Sequence, residues 1–366
     1  MDPTTVRRAM VWGLPALLLL VLIVLFAFVS AGIGLVALGL TLAVGVCVFA
    51  GWRQLVQIAI VLVLVTFFAA MLIRILPGDP AVALIPFGSE QQREELREDI
   101  GLDEPVFVQY GRWLGDFVTG DFGQYYQSNG PGEPVENRLK DAFPISIQLM
   151  LYAQILALVF AIPLGILTAY RSGTRFDKAT NTVAFGLLSL PNFVLAYLLI
   201  YWFAVQRDVF PSQGYVYFGD NVSEHFKSMF LPAVSLAVGQ IAIYMRLLRS
   251  DMIQTLQEDF ITMARSKGLT TRRILLRHAL RPSSFSLLTV AALNIGTLIG
   301  AAVILEVIFQ LPGIGLLIFQ AINERQYVAL QAFVAVIGVA YVLINVVVDL
   351  LYTVLDPRIR HARAAA

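Results

Sequence analysis

Charged side chains are scarce in this sequence. Aspartate, glutamate, lysine and arginine make up 14% of its 366 residues, whereas hydrophobic residues make up 58%. A soluble globular domain carries roughly a quarter charged residues, so the composition excludes an ordinary water-soluble fold and indicates an integral membrane protein. The formal net charge of +1 gives no electrostatic reason to expect nucleic acid as a partner.

Cysteine, histidine and lysine are also rare. The single cysteine, Cys47, permits no internal disulfide and no cysteine-based metal cluster. His225, His278 and His361 are far apart in the sequence and show no metal-ligand spacing. None of the four lysines lies in a Gly-x4-Gly-Lys-Ser/Thr phosphate loop. We therefore expect no metal site, no cofactor bound by this chain and no ATPase activity of its own.

Long hydrophobic runs dominate the chain. A hydrocarbon core about 30 Å thick is crossed by a helix of roughly 20 apolar residues, and backbone groups in lipid must hydrogen-bond internally, which favours helices. The 44 charge-free residues 9–52 are long enough for two spans. Six further runs predict one span each: 54–73, 142–170, 179–206, 228–245, 282–305 and 326–348. The sequence predicts an all-α polytopic membrane protein with about eight transmembrane helices.

Two of these runs, and one further apolar stretch, allow additional interpretation. The first could instead be a signal peptide, because Arg7 and Arg8 precede it, although its apolar core exceeds the usual length. Pro191 lies in the middle of its run and can kink the helix. The apolar stretch 307–323 is interrupted by the motif LPGIG at 311–315, so we expect a re-entrant or interfacial hairpin there and not a ninth span.

Arginine and lysine in the short loops set the orientation, since cytoplasmic loops carry an excess of them. With a cytoplasmic N-terminus, the basic segments 171–178, 250–281 and 356–366 all face the cytoplasm. The segment 76–144 holds 13 acidic and 5 basic residues and lies outside. The sequence thus predicts a multi-pass protein of the cytoplasmic membrane, with both termini in the cytoplasm.

The loop at 250–283 contains the pattern of a short helix followed by a corner. Side chains recur on one helix face at i, i+3, i+4 and i+7: Phe260, Met263, Ala264 and Lys267. Gly268 can adopt the left-handed conformation that ends a helix, and Leu269 can fold back as its hydrophobic contact. The sequence predicts an amphipathic element with the small residue Ala264 on its exposed face, suited to insertion into a groove on another protein.

A second short helix is expected after the corner. Thr270 is its predicted N-cap, and the helix carries Ile274, Leu275, His278 and Ala279. Pro282 marks its end or the entry to the next span. The plainer alternative is a basic loop that merely obeys the positive-inside rule.

The sequence resembles the permease subunits of ATP-binding-cassette importers of the dipeptide and oligopeptide type. The loop motif at 262–281 (TMARSKGLTTRRILLRHALR) looks like that family's cytoplasmic coupling loop. Further motifs follow the family's order: 74–80 (RILPGDP), 101–110 (GLDEPVFVQY), 113–123 (WLGDFVTGDFG), 190–191 (LP), 311–315 (LPGIG) and 349–360 (DLLYTVLDPRIR). The resemblance covers about residues 54–360.

The resemblance implies a domain division and a set of partners. Residues 54–360 would form the importer permease domain with its six spans. Residues 1–53 would be an additional transmembrane hairpin and 361–366 a C-terminal tail. The chain would pair with a sister permease, bind two cytoplasmic ATPases that use ATP and magnesium, and receive peptide from an extracytoplasmic binding protein. The implied coupling residues are Glu258, Phe260, Met263, Ala264, Arg265, Lys267, Gly268, Leu269, Arg272, Arg273 and His278.

Polar side chains within spans are candidates for the substrate path, because they usually face the bundle interior or a cavity. The candidates are Gln148, Ser189, Asn192, Gln240 and Asn294. Each of them can equally serve as a hydrogen bond between helices.

Other function classes fit less well. A secondary transporter or ion channel usually places ionisable groups near mid-membrane, whereas we expect the charges here in loops and at span ends. An intramembrane enzyme needs a nucleophile with a base, or a metal, and we expect no histidine in a span. Within the importer class, nickel or glutathione remains an alternative cargo to peptides, and peptide length stays open.

Overall fold

A computed structural model describes residues 52–75, 80–84, 88–101, 104–127 and 130–355 of the protein. The helices of the first part are α1 Trp52–Ile75, α2 Pro80–Leu84, α3 Glu90–Ile100 and α4 Val106–Thr119. Two short strands follow, β1 Gln124–Gln127 and β2 Gly130–Pro134. The remaining helices are α5 Val135–Tyr170, α6 Arg175–Leu188, α7 Asn192–Leu199, α8 Val222–Thr255, α9 Asp259–Ser266, α10 Thr271–Arg273, α11 Leu280–Phe309, α12 Ile314–Asn323 and α13 Tyr327–Leu355. Two π-helical turns, Ile200–Val205 and Ile274–Ala279, extend α7 and join α10 to α11.

The chain divides into two compact units, and the first contains the described residues within 1–144 and 316–366. Its helices α1 and α13 pack together, and α4 packs on α1. The Tyr110 hydroxyl on α4 lies 2.7 Å from the Thr66 hydroxyl on α1 and donates to the Val63 carbonyl at 3.1 Å. These contacts hold the segment after α1 against the helix that precedes it.

The β-hairpin of the first unit is fastened to the turn between α12 and α13. Tyr125 is almost fully buried, and its hydroxyl donates to Glu324 at 2.6 Å. The Gln326 amide pairs with both backbone groups of Tyr126, at 2.9 and 2.6 Å, as a neighbouring strand would. Burial and the Glu324 carboxylate together raise the pKa of Tyr125 well above its ordinary value.

The second unit runs from Ile145 to Gly315 and carries most of the long helices. Its best-packed pair is α8 with α11, and α6 and α7 also pack on α8. Gly165 lets α5 approach α8, because a Cβ at that position would lie 3.0 Å from the Leu248 side chain. The core of this unit includes fully buried Leu236, Tyr244 and Leu248 on α8.

The described residues confirm the all-helical membrane fold. Four helical stretches are long and apolar enough to cross a bilayer: Val135–Tyr170, Val222–Thr255, Thr271–Phe309 and Tyr327–Asn345. Helix α1 coincides with the predicted span 54–73. Residues 9–51 lie outside the described residues, so the predicted N-terminal pair, and with it the count of eight spans, stays a prediction.

The span predicted at 179–206 is not one straight helix. Helix α6 ends at Leu188 and α7 begins at Asn192, with a bend of 101° between them. Pro191 occupies the N-cap of α7. Proline lacks a backbone N–H, and it forces the preceding residue out of the α conformation. The prediction of a kink at Pro191 is confirmed, but the interruption is a full break.

The predicted break at LPGIG is also present. Helix α11 ends at Phe309, Gln310 adopts a left-handed conformation with φ 53°, and the short helix α12 starts at Ile314. Glu306 is buried, and its carboxylate accepts the Gly315 N–H at 2.6 Å. A Cβ on Gly315 would lie 2.5 Å from the Val303 Cα, so the second glycine of the motif is required for this close approach.

Candidate functional site

The segment between α8 and α11 forms the predicted helix and corner. Helix α9 spans eight residues, Asp259–Ser266, and Glu258 precedes it at the N-cap position. Gly268 has φ +73°, the left-handed conformation expected at a helix end. The Gly268 N–H donates to Arg265 O at 2.9 Å and the Leu269 N–H to Ala264 O at 3.3 Å. These two bonds define a Schellman motif, so the corner prediction is confirmed.

The prediction for Ala264 is wrong. Ala264 is buried, as is Ile261 three residues earlier, and together they form the inner side of α9. The outer side carries Phe260 and Met263, which are 44% and 57% exposed. Ile261 and Ala264 share a face because residues three apart in a helix lie side by side. The surface available to a partner is therefore made by two large apolar side chains.

Exposed basic side chains lie on the same segment as this apolar surface. Arg265, Lys267, Arg272 and Arg273 are all exposed, as is the acidic Glu258. His278 and Leu269 are half-buried. Large apolar side chains ringed by charge are typical of sites for protein partners.

The second helix differs from its prediction in two respects. Thr270 precedes α10, but its side chain makes no capping hydrogen bond. Helix α10 has only three residues and continues through the π-helical turn into α11, a continuous helical stretch from Thr271 to Phe309. Pro282 therefore lies inside the stretch and does not end it. Pro282 is the third residue of α11 and follows the π-helical turn closely, and its missing N–H removes one backbone hydrogen bond from the stretch.

Two polar contacts within the second unit involve the helices that flank this segment. The Ser283 hydroxyl on α11 donates to the Thr255 hydroxyl at the end of α8, at 2.9 Å. Arg249 on α8 forms a bidentate pair with Asp177 on α6, at 2.6 and 2.7 Å. The Asp177 side chain is only 4% exposed and also accepts the Gly173 N–H at 2.9 Å. Seventy-two residues separate the two partners, so sequence spacing gave no signal of this pair.

The structure shows what each of the five candidate path residues contacts or lies beside. Gln240 on α8 and Asn294 on α11 form a hydrogen bond of 2.9 Å between helices. The Gln148 side chain accepts the Tyr215 hydroxyl at 2.9 Å. Asn192 opens α7, and its side-chain oxygen would lie 3.7 Å from a Cβ on Gly239 of α8. Ser189, the fifth candidate, donates to Phe185 O at 3.0 Å beside the break between α6 and α7. The role of these residues in a path stays a prediction.

A buried cluster at one end of α8 was missed by sequence reasoning. His225 is fully buried in the first turn of α8, which corrects the expectation that no span contains a histidine. Its Nδ1 donates to Val216 O at 2.7 Å, and Nε2 lies 3.0 Å from the Tyr152 hydroxyl. The helix begins before the apolar run, and the Asn221 side chain caps it by accepting the Ser223 and Glu224 N–H groups at 3.0 and 3.2 Å. Burial raises the pKa of nearby Tyr215 to about 12.

Within the described part of the chain, no three histidine, cysteine or acidic side chains come together as a metal site. The exposed apolar side chains, the basic side chains and the Schellman corner of the segment between α8 and α11 are features of a docking surface.

Comparison with known proteins identifies the family. Residues 161–361, more than half of the chain, match the family described as binding-protein-dependent transport system inner membrane component. The chain belongs to this family. Residues 49–150 of this inner membrane component also match the N-terminal region described for such transport system membrane components.

The chain matches relatives over nearly their whole length. The chain is 38% identical over 310 residues to the probable peptide ABC transporter permease protein y4tP of Sinorhizobium fredii, which covers 84% of this chain and 98% of the relative. It is 34% identical over 312 residues to the oligopeptide transport system permease protein AppB of Bacillus subtilis, with the same coverage. It is 32% identical over 321 residues to the di/tripeptide transport system permease protein DppB of Pseudomonas aeruginosa, covering 82% and 95%.

Proposed function

We propose that this inner membrane component is the permease subunit of an ATP-binding-cassette importer that carries dipeptides or oligopeptides across the cytoplasmic membrane. The observation that carries the proposal is the family match over 161–361 together with relatives that are named peptide permeases. The chain supplies the membrane path, and partner subunits hydrolyse ATP with magnesium.

The segment 256–279 is the proposed coupling element. Its support is the Schellman corner at Gly268 together with the exposed Phe260 and Met263 on the outer side of α9. An apolar helix face laid into a groove is a recurring mode of protein recognition. Because the helical stretch that follows the corner runs without interruption from Thr271 to Phe309, a movement of the docked ATPase would be transmitted to a membrane helix. This arrangement favours docking over a loop that serves only as a positive anchor.

The proposed assembly contains four kinds of partner. A sister permease completes the path, two cytoplasmic ATPases bind the coupling elements, an extracytoplasmic binding protein delivers peptide, and membrane lipid surrounds the spans. The Gln240–Asn294 bond and the neighbouring Asn192 offer amide groups to a passing peptide backbone. Generic hydrogen bonds of this kind suit a path that must pass many sequences without holding one tightly.

The proposed orientation places both termini and the coupling element in the cytoplasm, and residues 76–144 outside. The support is the distribution of arginine and lysine among the loops. Cysteine-accessibility labelling tests it: single cysteines within 91–136 should react with an impermeant reagent in intact cells, and those within 257–271 only after permeabilisation. Labelling of both regions from the same side would contradict the orientation.

Reconstitution tests the function. Proteoliposomes that contain this chain, its sister permease and the two ATPases should import a labelled di- or tripeptide when ATP and the binding protein are supplied. Vesicles that lack the ATPases, or contain ADP, should import none. Import without the ATPases would contradict the division of labour. Import of nickel or glutathione, but of no peptide, would show that the importer carries a different substrate within the same transporter class.

A further inference from the structure

An apolar groove opens on the second unit between α5, α7 with its π-helical turn, and α8. Its volume is about 320 Å³, and every side chain that lines it is apolar. The lining includes Leu156 and Phe160 on α5, Phe203 on the π-helical turn, and Phe230, Val234 and Ile241 on α8. All these elements belong to helices that can cross the bilayer, so the groove lies within the membrane.

The length of the groove matches one leaflet. Phe230 and Ile241 line it at positions eleven residues apart on α8. At a rise of 1.5 Å per residue, this interval is about 16 Å, about half of a hydrocarbon core roughly 30 Å thick. A groove of this length accommodates an extended acyl chain from the level of the headgroups to mid-membrane.

One end of the groove carries a cation, Arg207, that pairs with no carboxylate of the described residues. The Arg207 guanidinium lies 5.6 Å from the centre of the Phe203 ring, and Phe203 lines the groove. No described carboxylate forms an ion pair with Arg207, not even that of the adjacent Asp208. Tyr201 and Trp202, just before it, are about half exposed. Exposed tyrosine and tryptophan mark the interface between membrane and water, where a lipid phosphate lies.

Aromatic rings shape the same end of the groove. Phe210 stacks on Phe230 with ring centres 4.8 Å apart. The π-helical turn that presents Phe203 is a rare conformation, and such turns are frequent at functional sites. The apolar chain site and the cationic site therefore meet at Phe203.

We propose that this groove is a binding site for one anionic phospholipid, with an acyl chain along α8 and the phosphate at Arg207. The Arg207 guanidinium, which has no ion-pair partner among the described residues, favours a headgroup with net negative charge over a zwitterionic one, because the guanidinium and the phosphate form charge-assisted hydrogen bonds. A helix of the sister permease would be the competing occupant. It would have to bring both an apolar face and an anionic side chain to the same place.

Native mass spectrometry of the assembled importer, with phosphatidylglycerol or phosphatidylcholine added to the detergent, tests the proposal. The wild-type complex should retain phosphatidylglycerol preferentially. Arg207→Gln should weaken retention of phosphatidylglycerol roughly tenfold, as expected for the loss of one hydrogen bond to a charged group, and should remove the preference. Val234→Phe should fill the groove and weaken retention of both lipids. Lys227→Gln is the matched control, since Lys227 pairs with Glu224, and should change nothing.

Three results would overturn the proposal. The first is wild-type retention of phosphatidylglycerol by Arg207→Gln. The second is wild-type retention by Val234→Phe. The third comes from a photoreactive amino acid at position 234 in the assembled importer: crosslinks to the sister permease, and none to lipid, would show that a protein helix occupies the groove. Arg207→Gln changes an exposed side chain, so the test does not depend on a variant that fails to fold.

Discussion

Substitutions at Gly268 distinguish two reasons for a glycine at the corner. One is the left-handed backbone conformation, and the other is a lack of space for a side chain. A Cβ on Gly268 would meet no other atom within 4 Å, whereas φ is +73°. The cost of a side chain is therefore conformational, and for an ordinary L-residue it is roughly 1–2 kcal/mol. A free-energy change of that size alters the population of the correct corner by a factor of about 5 to 30.

The choice of side chain sets the expected order. Asparagine tolerates the left-handed conformation best among non-glycine residues, alanine less well, and a β-branched residue such as valine least. We expect Gly268→Asn to bind the ATPases almost normally, Gly268→Ala to bind them severalfold more weakly, and Gly268→Val to lose about 5- to 30-fold. Co-purification of the ATPases with the permease, at matched membrane levels, measures the order.

Gly214→Val is the matched control. Gly214 also has a positive φ, +97°, with open space around its Cβ, but it lies in the segment between α7 and α8. It should introduce similar backbone strain and leave ATPase association unchanged. If Gly268→Asn were as damaging as Gly268→Val, bulk against a partner would decide and the strain argument would be wrong. Normal association of Gly268→Val would remove the requirement for the corner altogether.

Two further predictions concern stability. Arg249→Ala should leave the buried Asp177 carboxylate without its cation and destabilise the protein by about 3–5 kcal/mol, which is measured as a lower unfolding temperature in detergent. Arg246→Ala removes a side chain that stacks on an exposed ring and should lower the unfolding temperature far less; equal effects of the two variants would contradict the argument. Gly315→Ala should reduce the amount of folded protein in the membrane, because its Cβ would meet backbone atoms of α11 and overpacking typically costs about 1–3 kcal/mol. Gly300→Ala, at a site with open space around the Cβ, should leave the amount of folded protein unchanged. Normal levels of the Gly315→Ala variant would refute the packing reason.

Local features could be predicted from the sequence. The corner at Gly268 and the break at Pro191 depend on the conformations that glycine and proline allow, so neighbouring residues were sufficient to locate them. The long apolar runs located the helices because a membrane span must be both apolar and helical.

Features that depend on distant packing could not be predicted. The buried side of α9 is chosen by what lies beneath it, and for that reason the sequence placed Ala264 on the wrong face. Asp177 and Arg249 each looked like ordinary loop or span-end charges, and only folding brings them together. His225 appeared to lie in a loop because hydropathy locates the apolar core of a span but not the polar turns by which the helix extends beyond it.

Crosslinking from α9 within the assembled importer tests the central claim most directly. A photoreactive amino acid at Met263, which is 57% exposed, should crosslink to an ATPase subunit, whereas the same residue at Glu324, which lies in the turn before α13 and outside the proposed coupling element, should not. The crosslink should be lost in the Gly268→Val background and kept with Gly268→Asn. An assembled, transport-active complex in which Met263 gives no crosslink to an ATPase would contradict the account.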